Sequence, residues 1–146
     1  MERIDISVLM AVYKKDNPAF LRESLESIFT QTVEAGEVVL LEDGPLTEAL
    51  YEVIKSYQSK YPALRVVAYP MNRGLGKTLN DGLQLCKYDI VARMDADDIC
   101  KSNRFETEYK WLKTHEDYDV IGSWVDEFTN DKTQVRSIRK VPEQYE

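Results

Sequence analysis

Short apolar runs alternate with segments of helical periodicity along most of this 146-residue chain. The predicted strands cover residues 4–12, 37–42, 64–69, the first part of 89–98, 119–128 and 135–138. Strands that alternate with helices in this way predict an α/β fold with a mostly parallel central sheet flanked by helices. An apolar fraction of 43% is enough for a core of ordinary size, and the length suits one domain.

The helices are predicted from the spacing of apolar residues and from residues that favour helix starts. Asn17 is a capping residue, and Pro18 loses no needed hydrogen bond at the first helical position. Further helices are predicted at about 47–61, after the loop at 72–78, and from about Ser102. The residues expected to face the core are Leu21, Leu25, Ile28 and Phe29 in the first helix, Leu50, Ile54 and Tyr57 in the second, Leu75, Leu79, Leu83 and Cys86 in the third, and Phe105, Tyr109 and Leu112 in the fourth.

The charge balance excludes some classes of protein. A net charge of −7, from 19 basic and 26 acidic residues, argues against nonspecific binding to nucleic acid, which depends on basic surface. Cys86 and Cys100 lack the spacing of a zinc site, so we expect reduced structural thiols and a cytoplasmic protein. No apolar run approaches the roughly 18 residues that a membrane-spanning helix requires.

Residues 89–98 combine an apolar strand with three carboxylates just past its end, those of Asp95, Asp97 and Asp98. Two like charges about 4 Å apart repel by on the order of 4 kcal/mol at an effective dielectric of ~20. The cluster therefore needs a proton, a basic partner or a metal ion. The alternative interpretation is a solvated acidic turn after a strand.

Side chains with ligand chemistry follow several of the predicted strands. Tyr13 follows the first strand, Glu42 and Asp43 end the second, and the acidic cluster follows the fourth. Open α/β sheets bind ligands beyond the carboxyl ends of their strands, so these residues are expected to converge. Hard carboxylate oxygens favour Mg or Mn, which takes its remaining ligands from phosphates and water. The sequence therefore predicts a nucleoside diphosphate compound as the ligand.

Gly76-Lys77-Thr78 resembles the end of a phosphate-binding P-loop, which leaves a nucleotide hydrolase as an alternative. That motif requires glycine five residues before the Gly-Lys pair, and Met71 occupies this position. Arg73 and Lys77 are expected either to face the phosphates from the start of the helix, where backbone amides favour anions, or to be solvated charges.

Five segments occur in the order and spacing of one protein family. They are residues 7–13, 25–32, 37–44, 72–74 with 79–83, and 95–98 with 104–105. On these segments the chain resembles the donor-binding part of family 2 glycosyltransferases, which have the GT-A fold. The resemblance implies that residues 1–146 form one GT-A domain for a nucleotide donor, and that the chain is the first part of a longer protein that continues with an acceptor-binding part.

The resemblance also implies roles for individual residues. Ala11, Val12 and Tyr13 should line the nucleoside pocket, with Tyr13 near the base, although a place in the core is the alternative for Tyr13. Asp43 should accept a hydrogen bond from the base imide, with Glu42 beside it. The family more often has Asp at the position of Glu42, which weakens that assignment.

The implied reaction is transfer of a sugar from a nucleotide-diphosphate sugar, a UDP-sugar in the first place, to an acceptor hydroxyl with inversion at the anomeric carbon. Asp97 should bind the Mn or Mg ion directly, and Asp95 should face the ribose, or the metal through water, while Asp98 should either lie behind the direct ligands of the metal or have a structural role. A general base must deprotonate the acceptor. By analogy this base lies downstream of Asp126 and Glu127, so no catalytic residue is expected within residues 1–146.

The expected partners are a nucleotide-sugar donor and a saccharide or lipid-linked saccharide acceptor, in the biosynthesis of surface polysaccharides. The expected location is the cytoplasm, with docking of the complete protein at the inner face of the membrane as an option.

Two further alternatives for the function are open. A metal-dependent nucleotidyltransferase would have a glycine- and lysine-rich loop after the first strand, but residues 13–18 contain no glycine. A noncatalytic nucleotide-binding module could keep the fold, although Asp95 and Asp97 argue against it.

Overall fold

The central sheet consists of parallel strands β1 (Arg3–Val12), β2 (Glu34–Glu42), β3 (Leu64–Ala68) and β4 (Ile90–Arg93), in the order β3-β2-β1-β4. The helices are α1 (Pro18–Phe29), α2 (Glu48–Lys60), α3 (Leu75–Leu85) and α4 (Arg104–Thr114). A separate antiparallel pair is formed by β5 (Val125–Glu127) and β6 (Ser137–Arg139). The predicted α/β class with a mostly parallel, helix-flanked sheet is confirmed.

This computed structural model describes residues 1–129 and 131–143. The chain divides into two compact units, Met1–Tyr109 and Lys110–Glu146, and each is described by itself. Within the described ranges, none of the helices combines the length and the hydrophobicity that a membrane crossing requires. The expectation that the whole chain forms one donor-binding domain stays a prediction.

The order of the strands reverses at β1. Successive strands β2 and β3 lie on one side of β1, whereas β4 lies on the other side. Val12 of β1 is the register partner of Glu42, and Leu9 is the register partner of Arg93. A crevice therefore forms beyond the carboxyl ends of β1 and β4, the place where open α/β sheets bind ligands.

Capping side chains begin α1 and α2, and the cap at Asn17 is the one that the sequence predicts. Asn17 Oδ1 accepts the Ala19 N–H at 2.8 Å, and Pro18 is the first residue of α1. Thr47 Oγ1 accepts the Leu50 N–H at 3.3 Å at the start of α2. Each cap satisfies one backbone donor that the helix leaves without an internal partner.

Helices pack on both faces of the sheet. The core of the first face includes Val8, Met10, Val12, Val38 and Leu40 from the strands and Leu21, Leu25, Leu50 and Ile54 from α1 and α2. The core of the second face consists of Leu9, Val39 and Leu41, against which Leu79, Leu85 and Cys86 pack. The predicted core positions of α1 and α2 are buried, except that Phe29 is half-buried.

The predicted buried face of α3 is wrong in part. Leu75 and Leu83 are 50% and 51% exposed, and the buried residues of the helix are Thr78 and Gly82. A Cβ atom at Gly82 would lie 2.5 Å from a methyl carbon of Leu41 in β2. The helix therefore approaches the sheet so closely that a larger residue at this position would displace the methyl groups of Leu41 and Leu9, and the two leucines of α3 lie away from the contact.

The second unit, Lys110–Glu146, contains the antiparallel pair of β5 and β6. The predicted strand at 119–128 is shorter than expected, and the strand predicted at 135–138 begins at Ser137. A strand requires a hydrogen-bonded neighbour, and three residues of each strand pair here. Of the turn predicted at 130–131, Asn130 lies outside the described residues.

Candidate functional site

A cleft of about 450 Å³ lies at the carboxyl ends of β1 and β4. It is lined by Ala11, Val12, Tyr13, Asp16, Asp43, Asn72, Gly74, Leu75, Asp95, Ala96 and Asp97. The residues of this cleft that were proposed from the sequence are Ala11, Val12, Tyr13, Asp43, Asp95 and Asp97. Glu42, Arg73 and Lys77, which were also proposed, are not part of its lining.

The loop after β1 begins with a tight turn that brings Tyr13 and Asp16 into the cleft. The Tyr13 N–H donates to Asp16 Oδ2 at 2.9 Å, and the Asp16 N–H donates to the Tyr13 carbonyl at 3.0 Å. Tyr13 is 40% exposed, so its ring is accessible to a ligand and is not a core side chain. The sequence interpretation omitted Asp16, although an acid in the loop after the first strand could have indicated it.

Asp95, Asp97 and Asp98 belong to the acidic loop, which we define as residues 95–100 directly after β4 and Met94. The Asp98 N–H donates to the Asp95 carbonyl at 3.2 Å, and carboxylate oxygens of the three residues lie within 4.8 Å of one another. Arg93 Nη2 donates to Asp95 Oδ1 at 3.0 Å, and Asp97 and Asp98 are exposed. Such a set of hard oxygen donors, open to solvent, fits Mg²⁺ or Mn²⁺.

Asp16 adds a further carboxylate to the cleft that Asp95 and Asp97 line. Its burial raises the pKa of the Asp16 carboxyl, the hydrogen bond from the Tyr13 N–H lowers it, and the nearby Asp97 and Asp95 carboxylates raise it. Burial contributes most to the raised pKa, and repulsion from the Asp97 and Asp95 carboxylates adds to it. A divalent cation would relieve this repulsion.

Asp43 connects the end of β2 with the loop before α3. Asp43 is 5% exposed, Oδ1 accepts the Arg73 N–H at 2.8 Å, and Oδ2 accepts the Gly74 N–H at 3.1 Å. The Asn72 side-chain amide donates to the Asp43 carbonyl at 3.3 Å. Gly74 has a φ of +92°, a conformation that favours glycine. The carboxylate therefore orders the edge of the cleft, and its contact with a base stays a prediction.

Glu42 is buried, and its position in β2 places it on the face of the sheet that packs against α1 and α2. Successive side chains of a strand alternate between the two faces, and Val38 and Leu40, at even spacing from Glu42, belong to the core beneath α1 and α2. Burial raises the pKa of the Glu42 carboxyl. Glu42 precedes Asp43 in the sequence, but its side chain does not line the cleft. A contact of Glu42 with a nucleotide stays a prediction.

Replacing Glu42 by glutamine is expected to raise the melting temperature at pH 7 by about 2–4 °C. Because the folded-state pKa is raised, the glutamate contributes most stability below its unfolded pKa and loses it as the pH rises through the folded value. The gain should therefore vanish near pH 4 and grow toward pH 7 in melting curves followed by circular dichroism. Glu52→Gln, at an exposed position of α2, is the control. A less stable Glu42→Gln variant at pH 7 would contradict the role of burial.

Arg73 and Lys77 flank the start of α3. The Arg73 guanidinium forms an ion pair with Asp81 and lies over the Tyr69 ring, 4.5 Å from its centroid. Lys77 is exposed in the first turn of the helix. The contacts of both residues with phosphates stay predictions.

The sheet and its flanking helices have the GT-A fold. A mannosyltransferase from Pyrobaculum calidifontis, solved in complex with GDP-Man and Mn²⁺, superposes with a TM-score of 0.63 at 23% identity, over 73% of this chain and 32% of that one. At 23% identity this superposition shows the fold alone, and the fold predicted from the resemblance is confirmed.

A model of glycosyl transferase family 2 matches residues 7–146, and the chain belongs to this family. It is 42% identical to the UDP-Gal:alpha-D-GlcNAc-diphosphoundecaprenol beta-1,3-galactosyltransferase of Escherichia coli, over 93% of this chain and 49% of that one. It is 43% identical to the amylovoran biosynthesis glycosyltransferase AmsE of Erwinia amylovora, over 84% of this chain and 46% of the relative. The chain spans about half the length of these curated relatives. Membership of this family argues against the nucleotide hydrolase and the nucleotidyltransferase that the sequence left as alternatives.

Proposed function

We propose that the complete protein transfers a sugar from a UDP-sugar to an acceptor hydroxyl, with inversion at the anomeric carbon. The observation that supports this most is the single cleft in which Tyr13, Asp43 and the Asp95 and Asp97 carboxylates meet beyond the carboxyl ends of the strands. The Escherichia coli relative, whose name specifies UDP-Gal as the donor, supports the choice of uridine.

The nucleoside would occupy the part of the cleft lined by Ala11, Val12 and Tyr13. The exposed ring of Tyr13 offers a surface on which the base can stack. Asp43 would accept the imide N–H of the base. Each carboxylate oxygen can accept more than one hydrogen bond, so the two backbone N–H groups that Asp43 already binds leave this capacity open.

The acidic loop would hold Mn²⁺ or Mg²⁺, with Asp97 as a direct ligand and Asp95 in contact through water or with the ribose. The donor set fits because it consists of hard oxygens that lie within 4.8 Å of one another. When bound, the cation supplies positive charge to the leaving diphosphate. Lys77 and Arg73 would add positive charge at the start of α3, where backbone N–H groups favour phosphates.

The general base would lie beyond residue 146, in the acceptor-binding part of the complete protein. Residues 1–146 would then form the donor-binding domain and transfer little sugar by themselves. The name of the Escherichia coli relative includes a diphosphoundecaprenol, which supports a lipid-linked saccharide as the acceptor. Such an acceptor would place the complete protein at the inner face of the membrane, in the biosynthesis of surface polysaccharides.

Calorimetric titration of UDP into the chain tests the donor-binding part of this function. We expect binding in Mn²⁺ or Mg²⁺ and little binding in EDTA, because without a cation the diphosphate would meet the carboxylates of Asp16, Asp95 and Asp97. ADP serves as the comparison, and it should bind more weakly than UDP under the same conditions. Equal affinity for UDP in EDTA would contradict the metal assignment, and preference for ADP would contradict the choice of base.

A further inference from the structure

A row of polar side chains lies on the buried side of α1 and just past its end. This polar row consists of Ser24, Ser27 and Gln31, of which Ser24 is fully buried and Gln31 is 2% exposed. Positions three and four residues apart lie on the same face of a helix. Ser27 and Gln31 belong to the family segment 25–32, and Ser24 directly precedes it. None of these residues has a role in the proposed contacts with the nucleotide.

The polar row makes hydrogen bonds with the backbone of the acidic loop. Ser24 Oγ donates to the Asp95 carbonyl at 3.0 Å, at the first residue of the loop. The Cys100 N–H donates to Ser27 Oγ at 3.0 Å, at the last residue of the loop. Both ends of the loop are therefore bonded to one rigid helix.

Gln31 extends the row to the residues that follow the acidic loop. Its Nε2 donates to the Lys101 carbonyl at 2.8 Å, and its Oε1 accepts the Phe105 N–H at 3.1 Å. The start of α4 is thereby bonded to the same side of α1. Buried polar groups are stable only when they are hydrogen-bonded, so these contacts define one position for the whole segment.

The residues just before the acidic loop are bonded to other elements as well. The Met94 N–H donates to the Leu9 carbonyl of β1 at 3.0 Å, and Arg104 Nη2 donates to the Arg93 carbonyl at 3.2 Å. The acidic loop therefore has hydrogen bonds at or beside both of its ends. Its carboxylates repel one another, and without such restraint the loop would spread them apart.

We propose that Ser24 and Ser27 are positioning residues, which hold the backbone of the acidic loop so that its carboxylates are spaced for a divalent cation, while Gln31 fixes the residues that follow the loop. This inference rests on the proposed function, because it requires that the loop binds the cation. A site that is ordered before binding loses less conformational freedom when the ion arrives, so the affinity is higher. The polar row acts through the backbone of the loop and does not contact the ion itself.

The affinity of the chain for Mn²⁺, measured without nucleotide from the electron paramagnetic resonance signal of free Mn²⁺, tests the proposal. Ser24→Ala and Ser27→Ala are each expected to weaken Mn²⁺ binding about tenfold, within the range found when the residues that orient metal ligands are replaced. Ser27→Thr keeps the hydroxyl and should restore the affinity. Ser27 is only half-buried, so its variants keep the test valid if Ser24→Ala fails to fold.

Two control variants separate positioning from general loss of stability. Ser56 Oγ donates to the Val53 carbonyl within α2, much as Ser27 Oγ donates to the Ser24 carbonyl, so Ser56→Ala removes an equivalent bond far from the loop. Val53 of α2 is 2% exposed, so Val53→Ala destabilises the fold without removing a hydrogen bond to the loop. Both controls should bind Mn²⁺ with the affinity of the unmodified chain.

The outcomes distinguish this proposal from the proposed function. If the unmodified chain binds Mn²⁺ and the serine variants bind it equally well, the positioning role is wrong while the cation site stands. If Val53→Ala weakens binding as much as the serine variants do, the effect is general stability and the positioning role is again wrong. If the unmodified chain does not bind Mn²⁺, the cation site fails, and the positioning role fails with it.

Discussion

Replacing Asp97 by alanine is expected to weaken the Mn²⁺-dependent affinity for UDP by at least about 100-fold, because even residues that only orient a ligand cost about 10–100-fold when replaced. Asp97 is exposed, lines the cleft and belongs to the three carboxylates that lie within 4.8 Å of one another. Removing it takes away a hard oxygen ligand and one negative charge. The fold should be unaffected or slightly more stable without the cation, because repulsion with Asp16 and Asp95 decreases.

The matched control is Asp89→Ala, which removes an exposed carboxylate just before the amino end of the same strand, β4. Both variants change the net charge equally, so a general electrostatic effect would affect them alike. Calorimetry with UDP in Mn²⁺ and in EDTA, together with melting curves, measures both properties. If Asp97→Ala binds UDP in Mn²⁺ as well as Asp89→Ala does, Asp97 is not a metal ligand.

Replacing Asp43 by alanine is expected to lower both the stability of the chain and its affinity for UDP. The carboxylate accepts the N–H groups of Arg73 and Gly74, so alanine leaves two backbone donors without their partner. The loss of unfolding free energy should be about 2–4 kcal/mol, which corresponds to roughly 5–15 °C in melting temperature. From the family resemblance alone, Asp43→Ala would be expected to weaken nucleotide binding and to leave the fold intact. The hydrogen bonds in the structure add a loss of stability to that expectation.

Tyr13→Ala separates the two effects. The Tyr13 ring is 40% exposed, so its removal should change the melting temperature little. Loss of a stacked base costs about 1–3 kcal/mol, which corresponds to a loss of affinity for UDP of about 5- to 160-fold. Urea unfolding and calorimetry on both variants test this difference. An Asp43→Ala variant as stable as the unmodified chain, or a Tyr13→Ala variant that unfolds, would reverse the roles given to the two residues.

Asp43→Asn provides a finer test of the same residue. Asparagine keeps one acceptor oxygen and replaces the other by a donor, which cannot pair with a backbone N–H. Its loss of stability should fall between those of the unmodified chain and Asp43→Ala. Equal stability of the asparagine and alanine variants would show that the negative charge, rather than the number of acceptors, orders the loop before α3.

Local signals in the sequence were sufficient for much of the fold. The apolar runs of β1 and β2 and the helical spacing of α1 and α2 act within a few residues, and the caps at Asn17 and Thr47 involve only neighbouring backbone groups. The placement of Tyr13 and Asp97 in one cleft followed from the general rule for parallel sheets, since both residues follow strands whose carboxyl ends meet.

The packing of α3 depended on contacts between distant residues. Its leucines have helical spacing, yet Thr78 and Gly82 are its buried positions because the side chain of Leu41 leaves no room for a Cβ atom at Gly82. A pattern of apolar residues records which side chains are hydrophobic, but it does not record how closely a helix can approach a sheet. That distance is set by the partner surface.

The chain's own pattern of strands, helices and acids thus determined the α/β class, the parallel sheet and the edge at which ligand chemistry gathers. Only the tertiary structure decided that Asp16 joins the carboxylates, that Asp43 orders the loop before α3, and that Ser24 and Ser27 hold the ends of the acidic loop. Periodicity and capping are short-range properties that can be read from adjacent residues. Hydrogen bonds between residues 24 and 95, or 27 and 100, exist only after the sheet has assembled and brought α1 against the acidic loop.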